Sequence, residues 1–321
     1  MKKIRFLVVG TNFISDRFAE AAAMLDCAEI SAVYSRKSDT GEAFAKKHGV
    51  KTVYTDYNEA LSCEDVDAVY VASPTFLHAE HSILAMKMGK HVLCEKSIAS
   101  SYSEFLEMRS VAVETGRILI EAMRPAYDPA FGLICSAMER LGKIRRASID
   151  FCKYSTRYDN FKNGIVENAF NPNIKNSALF DVGVYALWLA VALFGEPERV
   201  VADSVSLSNG FNALGTIILN YSDMLITANY SKITESALPS TIEGENGSLL
   251  IDKIGYPSRI TLKLRDGTEE ELPCPQCENN MVYEIKAFCE CVAGERPSDE
   301  HLYTTATVMR IMDNLIGASK E

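Results

Sequence analysis

DAVYVASPTFLHAEHSILAMKMGKHVLCEKS, residues Asp67–Ser97, reads as a strand, a helix and a second strand that ends in a lysine. Ala68 to Ala72 is a short apolar run closed by Ser73-Pro74, and a continuous apolar run between turn residues suits a strand buried on both faces. From His78 to Met88 the apolar residues Ile83, Leu84, Met86 and Met88 are spaced among polar ones, and Gly89 is placed to stop the helix. His91 to Cys94 makes the next strand. It carries Glu95 and Lys96 to its carboxyl end, the edge at which open parallel sheets bind ligands.

Towards the N-terminus, Ile4 to Val9 is a buried strand, and Gly10-Thr11-Asn12-Phe13-Ile14-Ser15 turns into a helix expected from about Asp16 to Leu25. A dinucleotide fold places G-x-G-x-x-G here, so that glycines make the tight turn and admit the pyrophosphate. Only the first glycine is present. Asn12 tolerates a left-handed backbone and Ser15 is small, so the turn is kept while close approach of a phosphate is compromised. Taken alone, this stretch is equally a plain strand-turn-helix. The second strand, Glu29 to Tyr34, ends in Ser35-Arg36-Lys37, with no acidic residue before Asp39. A small polar residue followed by arginine accommodates a 2′-phosphate, which favours NADP over NAD, and a solvated basic loop is the bland alternative.

Alternation continues outward. A helix at Thr40 to His48, a strand at Thr52 to Tyr54 and a helix near Tyr57 to Cys63 precede the quoted stretch; a helix at Tyr102 to Thr115 and a strand at Arg117 to Ala122 follow it. This pattern specifies a doubly wound parallel sheet. Met123-Arg124-Pro125 breaks it, so two domains are expected, 1–122 for a dinucleotide and 123–321 for a substrate.

The second half has another texture: a helix at Pro129 to Leu141, a strand at Ile144 to Tyr154, and a long polar segment, Ser155 to Ser177, expected to edge the active site. Ala178 to Gly195 is almost wholly apolar and reads as one buried helix. Strands follow near Arg199–Leu207, Gly215–Tyr221, Met224–Ser231, Ser240–Glu243, Gly247–Asp252 and Arg259–Leu264, and helices at Asn279–Ala293 and His301–Ala318 end the chain. The fold class is therefore α/β, with a Rossmann sheet followed by an α+β domain.

Composition narrows the function. A net charge of −10 and a pI near 5.2 argue against a nucleic-acid surface, and no run reaches the apolar length of a membrane span or a signal-peptide core. A cytoplasmic protein is expected. Nine cysteines read as reduced thiols. Cys274, Cys277, Cys289 and Cys291 raise a zinc question, but the last two point apart on a helix, and no metal is expected.

The chemistry rests on few residues. Asp181 and Tyr185 are the strongly polar groups of the apolar helix, spaced to share a face. A carboxylate there needs a partner or a wet surface, although an N-cap would also explain it, and Tyr185 could be a core aromatic. Lys96 at a strand end is seldom buried without a task, a surface pair with Glu95 being the alternative. His78 is either a capping residue or a neighbour of the cofactor. Arg124, Tyr127 and Asn168 are candidates for contact with substrate.

The SPTFLH, GKHVLCEKS and DVGVY segments together resemble the marker motifs of the glucose-fructose oxidoreductase, inositol dehydrogenase and MocA family, and the resemblance spans essentially the whole chain. It implies an NAD(P)-dependent oxidoreductase of sugars, polyols or dihydrodiols with a Rossmann domain and an open-sheet second domain. On that pattern the catalytic lysine is Lys96, the substrate-positioning aspartate is Asp181 and the acid/base residue is Tyr185. Cofactor contacts fall on Gly10, Thr11, Asn12, Phe13, Ile14, Ser35, Arg36, Ser73, Pro74, Thr75, His78, Glu95 and Lys96. Tyr185 would exchange a proton with the substrate oxygen, supported electrostatically by Lys96, while Asp181 orients a neighbouring hydroxyl. The partners implied are a small-molecule substrate and further copies of the chain, as homodimer or homotetramer through the exposed sheet face. Two departures stand out: Ser97 replaces a proline that often carries a cis bond in the family, and Asn176-Ser177 replaces a glycine pair. A non-catalytic nucleotide sensor on the same fold is the alternative, but it has no need to keep all three catalytic residues.

Overall fold

The computed structural model describes residues 2–275 and 277–318. The short apolar runs become β1 (Ile4–Val9), β2 (Ala28–Tyr34), β3 (Thr52–Tyr54), β4 (Ala68–Val71), β5 (His91–Glu95) and β6 (Leu119–Ala122). Between them lie α1 (Phe13–Ala23), α2 (Ser38–His48), α3 (Tyr57–Leu61), α4 (His78–Lys87) and α5 (Tyr102–Thr115). The strands pair in parallel in the order β3-β2-β1-β4-β5-β6. Strand order reverses between β1 and β4, the place where ligands bind in such sheets. All four residues of β4 are buried, as a strand covered on both faces requires. Helix α1 begins three residues earlier than the apolar pattern suggests, because the Asn12 side chain caps it.

The chain then enters a second unit through α6 (Arg124–Tyr127) and α7 (Pro129–Met138), followed by β7 (Ile144–Cys152), α8 (Arg157–Lys162) and α9 (Val184–Phe194). Seven strands follow: β8 (Arg199–Ser206), β9 (Asn212–Asn220), β10 (Leu225–Ser231), β11 (Ser240–Gly244), β12 (Gly247–Ile251), β13 (Ile260–Leu264) and β14 (Glu269–Leu272). They and β7 form an eight-stranded sheet, β14-β13-β12-β11-β7-β10-β9-β8, antiparallel except where β7 meets β10. Burial alternates along β9. One face is apolar and lies under α9, while the other carries a polar row in which Thr216, Asn229 and Ser148 are hydrogen-bonded in series. Trp188 on α9 is wholly buried, with its ring centroid 5.8 Å from that of Phe131 on α7.

Two helices end the chain, α10 (Met281–Val292) and α11 (Leu302–Ala318). The first returns to the Rossmann sheet. One compact unit comprises residues as far as Arg124 together with Glu278–Tyr303, and the other comprises Pro125–Cys277 and the chain from Thr304. A single cut at 122/123 therefore misplaces 278–303. Phe288 explains the return: it is fully buried, and its ring centroid lies 5.5 Å from that of Phe6 in β1. The polar stretch 155–177 is likewise not one loop. It holds α8 and the 3₁₀ turns Asn168–Phe170 and Pro172–Ile174, packed through Tyr158, Phe161 and Phe170.

Candidate active site

In the first unit the candidate residues gather at the carboxyl ends of β1, β2, β4 and β5. Gly10 has φ +101°, and a Cβ there would lie 2.8 Å from the Ala72 carbonyl oxygen, so β1 leaves the sheet along a path closed to other residues. Asn12 is extended at φ −88°, ψ 179°, and not left-handed as its position in the glycine fingerprint suggested. Its Oδ1 accepts from the amides of Ile14 at 2.9 Å and Ser15 at 3.2 Å, while Nδ2 donates to the Ala72 carbonyl at 2.9 Å. The side chain thus ties β1 to β4 and caps α1 in place of the second glycine. Thr11 and Ile14 are half-buried and Phe13 is exposed around this turn.

Ser35 at the end of β2 is buried, its hydroxyl 2.7 Å from that of Thr40, and Arg36 beside it is exposed. The exposed guanidinium and the positive end of α1 suit an anionic dinucleotide.

After β4, Ser73 and Pro74 lead into a 3₁₀ turn, Thr75–Leu77, and His78 opens α4. His78 is buried, with Nδ1 2.9 Å from the Ser97 carbonyl and Nε2 2.8 Å from the Ser73 carbonyl. It thereby links the loops that follow β4 and β5. Burial pushes its pKa down to about 4 against the pull of those two carbonyls, and in its neutral form the ring donates to only one of them. His81, one turn on, places Nδ1 2.9 Å from the Ser73 hydroxyl; burial, with Arg36 second, pushes it down to about 4 as well.

Glu95 and Lys96 are not an ordinary surface pair. Glu95 is buried and accepts a 2.6 Å bond from the Tyr70 hydroxyl, and burial raises its pKa against the opposing charges of Lys96 and Arg124. Lys96 is half-buried, and the Lys96–Ser97 peptide bond is cis although serine stands in the place of proline. Behind Glu95, Glu284 of α10 is fully buried; neither of its carboxyl oxygens has a hydrogen-bond partner among the described residues.

In the second unit the expected helix from Ala178 divides. Leu179–Gly183 is a π-helical turn and α9 begins only at Val184; such turns recur at functional sites. Asp181 lies within it, and the capping position is held by Ala178. Its Oδ2 is 2.8 Å from Nζ of Lys232, a buried lysine just beyond β10 that also donates to the Ala169 carbonyl at 2.7 Å. Tyr185 is buried, its ring stacked on Phe151 of β7 with centroids 4.7 Å apart. Asn168 is exposed, and its carbonyl accepts from Asn176 Nδ2 at 3.1 Å. Tyr127 is half-buried, and Arg124 falls in the first unit.

Lys232, Glu284 and Tyr70 were missed in the sequence. For Lys232 a signal existed: like Lys96, it directly follows a strand. Of the cysteines, Cys289 Sγ contacts the Cys27 carbonyl at 3.4 Å and Cys291 Sγ the Pro297 carbonyl at 3.5 Å, so the two thiols face different partners.

A parallel sheet in Rossmann order with a small-residue turn after β1 and a lysine after β5, joined to a mostly antiparallel sheet, defines the class of two-unit nicotinamide-dependent oxidoreductases. Residues 4–123 match the oxidoreductase family with the NAD-binding Rossmann fold, and residues 137–250 match the GFO/IDH/MocA C-terminal domain. The chain is 40% identical over 311 residues to the scyllo-inositol 2-dehydrogenase (NADP⁺) IolU of Bacillus subtilis, covering 95% of each protein. It is 27% identical over 307 residues to the trans-1,2-dihydrobenzene-1,2-diol dehydrogenase of Bos taurus, covering 90% of this chain and 88% of that one. Its fold is that of KijD10, a 3-ketoreductase from Actinomadura kijaniata solved with TDP-benzene and NADP, at a TM-score of 0.84 and 22% identity over 97% of this chain and 96% of that one. The chain belongs to the GFO/IDH/MocA family and is an NAD(P)-dependent oxidoreductase of the sugar and polyol type. The sensor alternative is not favoured. Among the described residues no helix is long and apolar enough to cross a membrane.

Proposed function

We propose that this protein is an NADP-dependent dehydrogenase of a cyclic polyol, interconverting a ring carbinol and the corresponding ketone. The observation that carries the reading is the full-length similarity to an NADP⁺-dependent inositol dehydrogenase. The exposed Arg36 beside buried Ser35, where an NAD site would use an acidic residue, supports the phosphorylated cofactor. Gly10 to Ile14, Ser35, Arg36, Ser73 to Thr75, His78 and Glu95 would hold the dinucleotide. When bound, it supplies the hydride acceptor or donor. Tyr185 exchanges the proton of the substrate oxygen, Lys96 stabilises the charge that develops there, and Asp181 accepts from a neighbouring hydroxyl. Arg124, Tyr127 and Asn168 stand as further substrate contacts.

The test is fluorescence titration with NADPH and NADH, followed by a panel of inositols and their ketones read at the nicotinamide absorbance. NADPH is expected to bind more tightly, and Lys96→Met and Tyr185→Phe each to lose about a hundredfold or more in turnover. Binding of NADPH with no turnover of any cyclic polyol would overturn the substrate class. Failure to bind either nucleotide would overturn the cofactor assignment.

A further inference from the structure

A lysine with 3% of its surface exposed needs its charge answered inside the protein. Lys232 has that answer on several sides. Its amide donates to the Ala213 carbonyl at 3.0 Å and its carbonyl accepts from the Ser155 amide at 2.9 Å, so its backbone is fixed where β10 ends. The ammonium lies 2.8 Å from Asp181 Oδ2 and 2.7 Å from the Ala169 carbonyl oxygen, and it sits 4.9 Å and 5.3 Å from the ring centroids of Phe170 and Phe211. Two oxygens and two aromatic faces surround it. Asp181, by contrast, keeps 40% of its side chain exposed, so a carboxylate anchored from within still reaches solvent. The turn at Asn168–Phe170 is held from a second side, where Asn209 Nδ2 donates to the Phe170 carbonyl at 2.9 Å.

We propose that Lys232 is the positioning residue of the substrate-binding carboxylate: it holds Asp181 in its orientation, and it joins Asp181 and the 168–170 turn into one body. The inference rests on the substrate role given to Asp181 above. An aspartate side chain with 40% of its surface exposed has rotamers to lose, and a charge-assisted bond from a buried lysine restricts that freedom before substrate arrives. The same ammonium fixes the turn that carries Asn168, so two substrate-contact candidates share one anchor. Loss of the lysine should therefore be felt in how substrate is held and not in how the dinucleotide is bound.

Lys232→Met keeps the side-chain length and removes the charge and both donated bonds. The expected result is NADPH affinity within about twofold of wild type, with kcat/KM for the polyol lowered about tenfold to a hundredfold and much of the loss in KM. Adding Lys232→Met to Asp181→Asn should cost almost nothing further, because the lysine acts through the carboxylate. Lys232→Arg, which keeps the charge, should recover part of the loss. A merely structural lysine would instead give effects on kcat/KM that multiply with those of Asp181→Asn and no rescue by arginine, and that outcome overturns the proposal. Wild type, Lys232→Met, Asp181→Asn and the double variant compared by thermal unfolding give a readout independent of turnover. Coupling there with no turnover by wild type supports the Lys232–Asp181 anchor and rejects the polyol reading; additivity in both measurements rejects the anchor. Should Lys232→Met fail to fold, Lys232→Gln carries the same cycle.

Discussion

A buried carboxyl without a hydrogen-bond partner opposes folding whenever it must ionise, and Glu284 is in that position among the described residues. Burial first and the neighbouring Glu95 second raise its pKa well above the usual carboxylate value, with Arg124 opposing. The folded chain then holds a proton that the unfolded chain releases above about pH 4.5, so the stability tied to that proton is complete below 4.5 and declines as pH rises. Glu284→Gln is expected to be more stable than wild type at pH 8, the gap closing towards pH 4.5, at about 1.4 kcal/mol for each pH unit by which the pKa is raised. Thermal unfolding in pH steps checks this, and a gap that does not change with pH would sink it. His78 and His81 work in the opposite sense. Both are pushed down to about 4 from an unfolded value near 6.5, so the unfolded chain binds more protons between those limits. Their contribution is complete above about 6.5 and is lost as pH falls through 4, which predicts a falling Tm on the acid side of neutrality. At this scale the sequence revealed Lys96, because a lysine ending a central strand is conspicuous. It hid Glu284, whose burial is decided by which elements cover it, and for Lys232 it offered only the residue's place after a strand.

Elements were legible where the apolar period was strong and hidden where a contact from elsewhere sets the geometry. The run from Ala178 was readable as a buried helix, yet its π-helical first turn was not, since that turn answers to Tyr230 on β10. A Cβ at Gly183 would lie 3.0 Å from the Tyr230 ring, and one at Gly215 would lie 2.5 Å from its hydroxyl oxygen. The ring is wedged between two glycines and cannot yield to either side. Gly183→Ala is therefore expected to cost about 1–3 kcal/mol, seen as a Tm lowered by about 2–4 °C per kcal/mol. It should also reduce turnover, because Asp181 and Tyr185 flank the position. A second substitution, Tyr230→Leu, should return part of the lost stability; a Gly183→Ala protein that melts with wild type removes the steric argument. Strand β14 escaped for another reason. Glu269 to Glu271 carry no apolar signal, and the segment becomes a strand only by pairing with β13. The segment 155–177 read as polar because only Tyr158 and Phe161 keep a helical spacing, too short a run to stand out among polar neighbours, although with Phe170 they build a cluster there.

For the whole molecule, the sequence breaks the Rossmann pattern at Met123-Arg124-Pro125 and shows no sign of a return, whereas the first compact unit runs to Arg124 and resumes at Glu278. A late amphipathic helix says that it has an apolar face and is silent about which sheet receives it. The receiving surface is in the first unit: Phe288 meets Phe6, Asn279 Nδ2 donates to the Arg17 carbonyl at 2.7 Å, and Arg17 donates to the Glu278 carbonyl at 2.9 Å. Phe6 in turn contacts Phe18, which stacks on Tyr70 with centroids 3.7 Å apart, so α10 completes an aromatic core begun by β1, α1 and β4. Residues 1–124 expressed alone would leave that core open on one side. Such a fragment is expected to show no cooperative unfolding, whereas the same residues joined by a flexible Gly-Ser linker to residues 278–303 should unfold cooperatively and bind NADPH. In the full chain, Phe288→Ala should cost about 3–5 kcal/mol, because it opens a cavity against Phe6 that neighbouring strands cannot close. Circular dichroism melts of the two fragments decide the matter. A cooperative transition in residues 1–124 alone, at the temperature of the joined form, would mean that the sheet is complete without its distant helix and that α10 is an addition to a finished domain.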